Sequence, residues 1–161
     1  MVCTFFGHRY FPSELEYLIE ETICSLIEDK GVDTFYVGDK GDFDHTVLKT
    51  LRKIKNTYPH MKYAFIPAYQ PVENIYPKDY FNDAFFPEDV LKAPRKYAIV
   101  ARNRWMLKKA DIVVTYVIGI GNARNFKELA IKRNKEIIEL SECEFVRQKA
   151  FSSGEGGTAK P

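Results

Sequence analysis

Three short stretches of the sequence pair glycine with charged or amide side chains, a combination that suits phosphate binding. They are GHR at 7–9, GDKGDFD at 38–44 and GIGNARN at 119–125. Small residues let a ligand approach the chain, and the free amides and dipole at the start of a helix attract anions. Each stretch taken alone fits a tight turn with an Asn or Asp cap at least as well. A ligand site therefore requires that the fold bring the three together.

Arg102 is the candidate for a side chain that holds an anion. It precedes Met106 by four residues in a predicted helix, so the two lie on one face. If Met106 packs on a sheet, the guanidinium of Arg102 is drawn to the same side, where it can hold phosphate or carboxylate through two parallel hydrogen bonds. A solvated arginine that lies along its own helix is an equal alternative.

The sequence patterns of other common catalytic and metal sites are absent from this chain. Neither the G-x-G-x-x-G fingerprint after the first predicted strand nor the G-x-x-x-x-G-K-[ST] phosphate loop is present, which argues against a simple NAD enzyme and an ATPase. No serine lies in a nucleophile-elbow sequence. The histidines and cysteines are too scattered for a zinc site or a disulfide framework, so we expect no metal, no cofactor and a reducing compartment. The residues concerned are His8, His45, His60, Cys3, Cys24 and Cys143.

Alternating strand and helix patterns predict the frame that positions these residues. Strands are predicted at 2–6, 34–38, 62–69, 111–117 and 136–140. Right-handed crossovers then give an α/β, Rossmann-like doubly wound fold, with a mostly parallel five-stranded sheet and helices on both faces. The predicted strand order is third, second, first, fourth, fifth. The glycine stretches follow the first, second and fourth strands, so they face one crevice near the switch point between the first and fourth.

Two segments depart from this alternation. Residues 70–95 mix aromatic residues, prolines and polar side chains over a length that is unusual for a plain connection, which predicts a lid or a packed excursion. Small and polar residues dominate from 141 to 161, which predicts a disordered tail. Residues 1–140 are then expected to form a single domain.

Composition narrows the class of protein. The 161 residues are 45% hydrophobic and 29% charged, as is typical of a soluble globular protein. Nothing near the amino terminus predicts export or membrane insertion, so we expect a cytoplasmic protein without a membrane partner. A net charge of +2 disfavours a nucleic-acid partner, although a local basic patch is compatible with this total.

Four stretches together, CTFFGHR, FYVGDKGDFD, RNRWMLKKADIVVTYV and GNARNFKELA, resemble the YpsA-like branch of the SLOG superfamily. This group of Rossmann-like proteins also includes the DNA-processing DprA proteins and the LOG (lysine-decarboxylase-like) phosphoribohydrolases. The resemblance covers about residues 2–140. It implies a pocket for a nucleotide or nucleotide-derived ligand at the carboxyl ends of the strands, with phosphate contacts from GHR and from the loop after the fourth strand.

The match to LOG enzymes is incomplete where their chemistry lies. Those enzymes pair an arginine, four residues before a methionine, with the glutamate of P-G-G-x-G-T-x-x-E, and Arg102 matches the arginine. An ungapped count places Asn125 at the glutamate, and a one-residue slip places Phe126 there. Glu128 would have to reach in from farther along the helix. Because glycosidic cleavage needs a carboxylate, the resemblance favours binding over hydrolysis.

We therefore predict a cytoplasmic nucleotide-binding protein that acts as a sensor or an accessory protein. The alternative is a LOG-like N-glycosidase acting on a nucleoside monophosphate, if Asp39 or Asp44 supplies the missing carboxylate; DprA-like binding of single-stranded DNA is a third hypothesis. Related folds often dimerise through their helices, so the resemblance allows a homodimer. Arg9 and Arg102 would bind phosphate, Asp39 or Asp44 would bind the ribose, and Tyr69 or the aromatic segment at 70–95 would cover the base. The predicted site consists of Gly7, His8, Arg9, Gly38, Asp39, Gly41, Asp44, Arg102, Gly119, Gly121 and Asn122.

Overall fold

Five parallel strands form one sheet in the order β3-β2-β1-β4-β5. The computed structural model of the chain describes residues 1–70 and 75–143. The predicted fold class and strand order are confirmed, and the sheet that was predicted to be mostly parallel is parallel at each of its four strand pairings. The strands are β1 (Val2–Gly7), β2 (Thr34–Val37), β3 (Lys62–Phe65), β4 (Ile112–Tyr116) and β5 (Glu136–Glu139).

Helices cover both faces of this sheet. Side chains of the first two form an apolar cluster with one face, and side chains of the last two form a second cluster with the other. Two cores of this kind are what a doubly wound arrangement requires, because each crossover helix must bury its apolar stripe on the sheet. The helices are α1 (Glu16–Lys30), α2 (Gly41–Ile54), α3 (Glu88–Leu91), α4 (Ala98–Lys109) and α5 (Asn122–Lys132).

Adjacent residues of β1 contribute to opposite cores. Phe5 packs in the cluster of α1 and α2, and Phe6 packs in the cluster of α4 and α5, where it stacks on Phe126 with ring centroids 5.3 Å apart. This follows from the alternation of side chains along a strand. All five residues of β4 are buried, as expected for a strand covered on both faces. The two strands that flank the switch point are therefore the most buried strands of the sheet.

The described part of the 70–95 segment is a packed excursion. Its aromatic side chains pack against Phe65 of β3. Arg52 of α2 donates two hydrogen bonds of 2.7 Å to the carboxylate of Asp83. The Phe65 amide donates to the Asp83 carbonyl and the Phe85 amide donates to the Phe65 carbonyl, so the segment is joined to the outer side of β3.

The structure describes two of the predicted segments only in part: residues 71–74 of the predicted lid or excursion (70–95) and residues 144–161 of the predicted tail (141–161) lie outside the described residues. At the start of the predicted tail, Leu140–Glu142 forms a 3-10 turn in which the Ser141 hydroxyl donates to Glu139 at 2.6 Å. Among the helices of the described ranges, none has the length and apolar composition needed to cross a membrane.

Candidate functional site

A cleft opens at the carboxyl end of β1, beside the switch point between β1 and β4. It has a volume of about 80 Å³. Its walls come from the end of β1, the loops that follow β1 and β2, and three helices: the start of α2, α4 and the start of α5. This is the crevice in which the strand order places a ligand. The lining residues are Phe5, Phe6, Gly7, Arg9, Lys40, Asp44, Ile99, Arg102, Asn103, Asn122 and Ala123.

The fold brings the three glycine stretches and Arg102 to this one place. At least one residue from each stretch lines the cleft, although up to 116 positions of sequence separate them, from Gly7 to Ala123. Arg9 and Arg102 therefore reach the same crevice from different elements. The predicted site residues that line it are Gly7, Arg9, Asp44, Arg102 and Asn122.

Arg102 is buried, with 2% of its surface exposed, and hydrogen bonds fix its guanidinium. Its Nε donates to Oδ1 of Asn103 at 2.7 Å, and its Nη1 donates to Oδ1 of Asp39 and to the Ile66 carbonyl, each at 2.9 Å. Met106 on the same face is 1% exposed, so of the two alternatives for Arg102 the structure has the inward orientation and not the solvated one. These hydrogen bonds use Nε and Nη1 of Arg102, so Nη2 remains available to a ligand in the cleft.

Asp44 brings a buried carboxyl group to the same cleft. The residue is 8% exposed, and its Oδ2 accepts a hydrogen bond from the Lys40 amide at 3.1 Å. Burial raises the pKa of this carboxyl to about 6, against the opposing effects of the Arg102 guanidinium and the Lys40 amide. Asp44 therefore titrates close to neutral pH, as groups that exchange protons in active sites do.

Two of the predicted glycines make room for side chains of the protein itself. A Cβ atom on Gly38 would lie 2.5 Å from Nη1 of Arg102 and 2.7 Å from Oδ2 of Asp44. A Cβ atom on Gly7 would lie 2.2 Å from the Phe43 ring. We predicted that glycine admits the ligand at these strand ends. Internal packing is the reason that the structure gives for both.

The start of α2 is bound to the loop after β1. The Asp42 amide donates to the Arg9 carbonyl at 2.6 Å. Gly41 has a φ of 90°, and a Cβ atom there would lie 2.5 Å from Cα of Arg9. Gly41 thus lets the two loops touch, and one of the amides at this helix start is already used by the protein. The side chains of Arg9 and Lys40 remain beside the cleft.

The start of α5 faces the cleft and offers free amides. The Asn125 amide donates to the Gly121 carbonyl at 3.1 Å, which begins the hydrogen bonding of the helix. The amides of residues 122–124 precede that bond and, as at any helix start, lack an intrahelical acceptor. Asn122 and Ala123 line the cleft. A positive helix end is therefore added to the guanidinium groups.

The loop after β4 is held from outside the cleft. Nε2 of His8 accepts a hydrogen bond from the Ile118 amide at 2.9 Å, and the Val117 amide donates to Glu139 at 2.9 Å. Glu139 also accepts from Thr115 and Lys127, and these hydrogen bonds hold the pKa of its carboxyl below the ordinary range although burial acts to raise it. His8 therefore positions the loop.

Some of the predicted site residues do not line the cleft. The Asp39 carboxylate, which we predicted for ribose, instead pairs with Arg102 at 2.9 Å. The Tyr69 ring, which we predicted for the base, lies 5.1 Å from Nζ of Lys40 and 4.7 Å from the guanidinium carbon of Arg95. These groups support the cleft or border it. The predicted residues that are absent from its lining are His8, Gly38, Asp39, Gly41, Gly119 and Gly121.

Other groups line the cleft without having been predicted. Lys40 lies inside the second glycine stretch, so its position in that stretch could have predicted that it lines the cleft. Asn103 follows Arg102 directly and orients it, but nothing in its local sequence distinguishes it. Glu128 borders a separate groove between α4 and α5 and pairs with Arg124 at 3.2 Å, so it does not supply a carboxylate to the cleft.

Comparisons with known proteins add no family assignment. The chain matches no protein-family model, and a search of the curated proteins finds no match. The resemblance to the SLOG superfamily therefore stays a prediction. Within the part of the chain that the structure describes, no group of three or more His, Cys, Asp or Glu side chains could hold a metal ion.

Proposed function

We propose that this protein binds a nucleotide or a nucleotide-derived molecule through its phosphate, in the cleft beside β1, and acts as a sensor or an accessory protein. One observation carries the proposal: cationic side chains and a helix start converge on a single crevice. Arg9, Lys40 and Arg102 line it together with the first residues of α5. A phosphate group carries close to two negative charges at neutral pH, and guanidinium groups and helix amides are its usual donors.

The dimensions of the cleft favour a phosphate group inside it and the rest of the ligand outside. A volume of about 80 Å³ holds a few water-sized groups, which suits a phosphate and not a whole nucleoside. Exposed apolar side chains lie on the neighbouring loops, with Tyr10 67%, Ile118 65% and Ile120 84% exposed. We place the sugar and base against these loops, where an aromatic ring and aliphatic groups can cover a base.

A panel of nucleotides and their parent nucleosides tests the proposal. Isothermal titration calorimetry and thermal unfolding should detect nucleotides, while nucleosides should bind far more weakly because they lack the phosphate. Arg9→Gln should weaken nucleotide affinity at least about tenfold, since a charge-assisted hydrogen bond is worth about 1.5–3 kcal/mol. Arg133→Gln, at the exposed far end of α5, removes the same charge away from the cleft and should leave the affinity unchanged.

The opposite results would contradict the proposal. If nucleosides bind as well as nucleotides, phosphate is not the recognised group. If Arg9→Gln and Arg133→Gln behave alike, the cleft is not the binding site. Arg9 suits this experiment because its side chain is exposed, so its replacement does not leave a buried group without a partner.

The position of Asp44 favours a second candidate function, cleavage of the bond between ribose and base. A carboxylate in a cleft can stabilise the positive charge that develops on ribose or orient a water molecule. Asp44 lines the cleft, whereas Glu128 does not. Chromatography of the incubated nucleotide panel separates the two functions. Free base that is released by the wild type and not by Asp44→Asn supports the enzyme, and intact nucleotides support binding alone.

A further inference from the structure

The carboxyl group of Asp44 is unusually placed for a site that binds anions. It is 8% exposed and lines the cleft, with Oδ2 accepting the Lys40 amide. Among the described groups none donates to Oδ1, and no buried side-chain nitrogen or oxygen in that part of the chain lacks a partner. Oδ1 is therefore the carboxyl atom open to the cleft, where an anion would arrive.

Charged groups from each neighbouring element line the cleft together with this carboxyl. They are Arg102 of α4, Arg9 of the loop after β1 and Lys40 of the loop before α2, whose Nζ lies 3.9 Å from Oδ2 of Asp39. Asp39 is also close but is committed to Arg102 at 2.9 Å, and His45 follows Asp44 on α2 and contacts the Asp39 carbonyl at 3.2 Å. When it is ionised, Asp44 therefore offsets part of the positive charge that the cleft presents to an anionic ligand.

A doubly charged oxyanion in the cleft conflicts with an ionised Asp44. The two would lie together in a space of about 80 Å³, where like charges at such short separation repel. A proton on Oδ1 removes this repulsion and turns the carboxyl into a hydrogen-bond donor toward the anion. Burial has already raised the pKa of Asp44 to about 6, so the proton is readily acquired near neutral pH.

We infer that the cleft takes up one proton from solvent together with its anion, that Oδ1 of Asp44 carries this proton, and that the ligand is a tetrahedral oxyanion in its dianionic form. The inference rests on the proposed function and adds its regulation: affinity falls as the pH rises. The binding step makes no covalent bond. The proton moves from water to Oδ1 and is then donated in a hydrogen bond to an oxygen of the anion.

Sulfate is the probe for this inference. Phosphate monoesters themselves titrate near pH 6, which would obscure the titration of Asp44, whereas sulfate stays dianionic across the range of interest. Calorimetric titrations at pH 7 in two buffers of different ionisation enthalpy should report an uptake of close to one proton per sulfate. Sulfate affinity should fall about 50-fold between pH 6 and pH 8, because the protonated fraction of a group with a pKa of about 6 falls by that factor.

The Asp44→Asn variant distinguishes the titration of Asp44 from that of the other titratable groups. Asparagine keeps a carbonyl oxygen for the Lys40 amide and cannot ionise, so this variant should bind sulfate at every pH as the wild type does in acid, without proton uptake. Asp42→Asn, an exposed carboxylate on the same helix, is the matched control and should retain the full pH dependence.

The outcomes distinguish this inference from the function on which it rests. Sulfate binding without proton uptake, or a pH dependence that persists in Asp44→Asn and so belongs to His45 or another group, overturns the role of Asp44 and leaves nucleotide binding intact. Failure of sulfate to bind between pH 5.5 and pH 8 overturns the inference as well. The proposed function is judged separately, by the nucleotide and nucleoside panel and by the Arg9→Gln variant.

Discussion

Replacing Asp44 with asparagine should stabilise the folded protein at alkaline pH, because folding removes the carboxyl of Asp44 from water. The residue is 8% exposed, and its Oδ2 accepts the Lys40 amide at 3.1 Å. Asparagine preserves this acceptor and nearly the same volume, yet it carries no charge that burial would penalise. The variant therefore isolates the free energy that the native protein loses by ionising Asp44.

The magnitude follows from the pKa of Asp44. Burial raises it from an ordinary value of 3.8 to about 6. Between these two values the folded protein retains a proton that the unfolded chain releases, so stability falls as the pH rises through this window and is level above it. A difference of about 2 pKa units, at about 1.4 kcal/mol per unit, amounts to about 3 kcal/mol.

Urea unfolding at pH 5 and pH 8 measures this difference. At pH 5, which lies within this window, the wild type has already lost about half of this free energy, so Asp44→Asn should be more stable by about 1.5 kcal/mol; at pH 8 it should be more stable by about 3 kcal/mol. Asp42→Asn is the control, since it removes an exposed carboxylate from the first turn of the same helix. It should lose about 0.3–1 kcal/mol of helix-dipole stabilisation at both pH values.

Equal stabilities of the wild type and Asp44→Asn at pH 8 would refute this reasoning, because the ionised carboxyl would then be solvated in the native protein. A variant that is less stable at pH 8 would show that attraction between the Asp44 carboxylate and Arg102 outweighs the effect of burial. Either result would also weaken the case for proton uptake in the cleft.

Three further substitutions and one control test the supports of the cleft. Gly38→Ala should destabilise the protein by about 1–3 kcal/mol in urea unfolding, because its Cβ would lie 2.5 Å from Nη1 of Arg102, whereas Gly119→Ala, with no atom within 4 Å of its Cβ, should be neutral. Glu139→Gln should cost about 1–3 kcal/mol at pH 7, since it weakens several buried hydrogen bonds. This deficit should shrink in acid, as the lowered pKa of Glu139 means that its contribution is lost when the pH falls through the folded value. His8→Ala should speed hydrogen exchange of the adjacent loop amide about fivefold, the loss expected for one hydrogen bond of about 1 kcal/mol; exchange rates equal to those of the wild type would remove His8 as a support.

The fold could be predicted from the sequence because its signals are local. Apolar residues at strand and helix spacing repeat along the chain, and the handedness of crossovers then fixes the order of the strands. The same local logic oriented Arg102, because Met106 lies one helical turn away and packs on the sheet. The spacing of apolar residues shows which face of a helix or strand is buried, so this part of the structure could be predicted from the sequence.

The contacts within the site could not be predicted, because they join residues that are far apart in sequence. Asp39 meets Arg102 across 63 positions, and His8 meets Ile118 across 110. Such pairs depend on the conformations of the loops and on side-chain rotamers, and neither produces a periodic pattern in the sequence. The glycines illustrate the limit: small residues at strand ends indicated close approach, but the sequence could not show that at Gly38 the neighbour is the protein's own arginine.

The excursion after β3 bears on how the protein avoids self-association. β3 is the outermost strand on its side, and an outermost strand offers unpaired amides and carbonyls to any other extended chain. The backbone hydrogen bonds of Phe65 with Asp83 and Phe85 use some of these amides and carbonyls. The Arg52–Asp83 ion pair holds the segment against this edge of the sheet. The described part of the segment therefore covers hydrogen-bonding groups through which β3 could otherwise pair with a second chain, whatever the cleft binds.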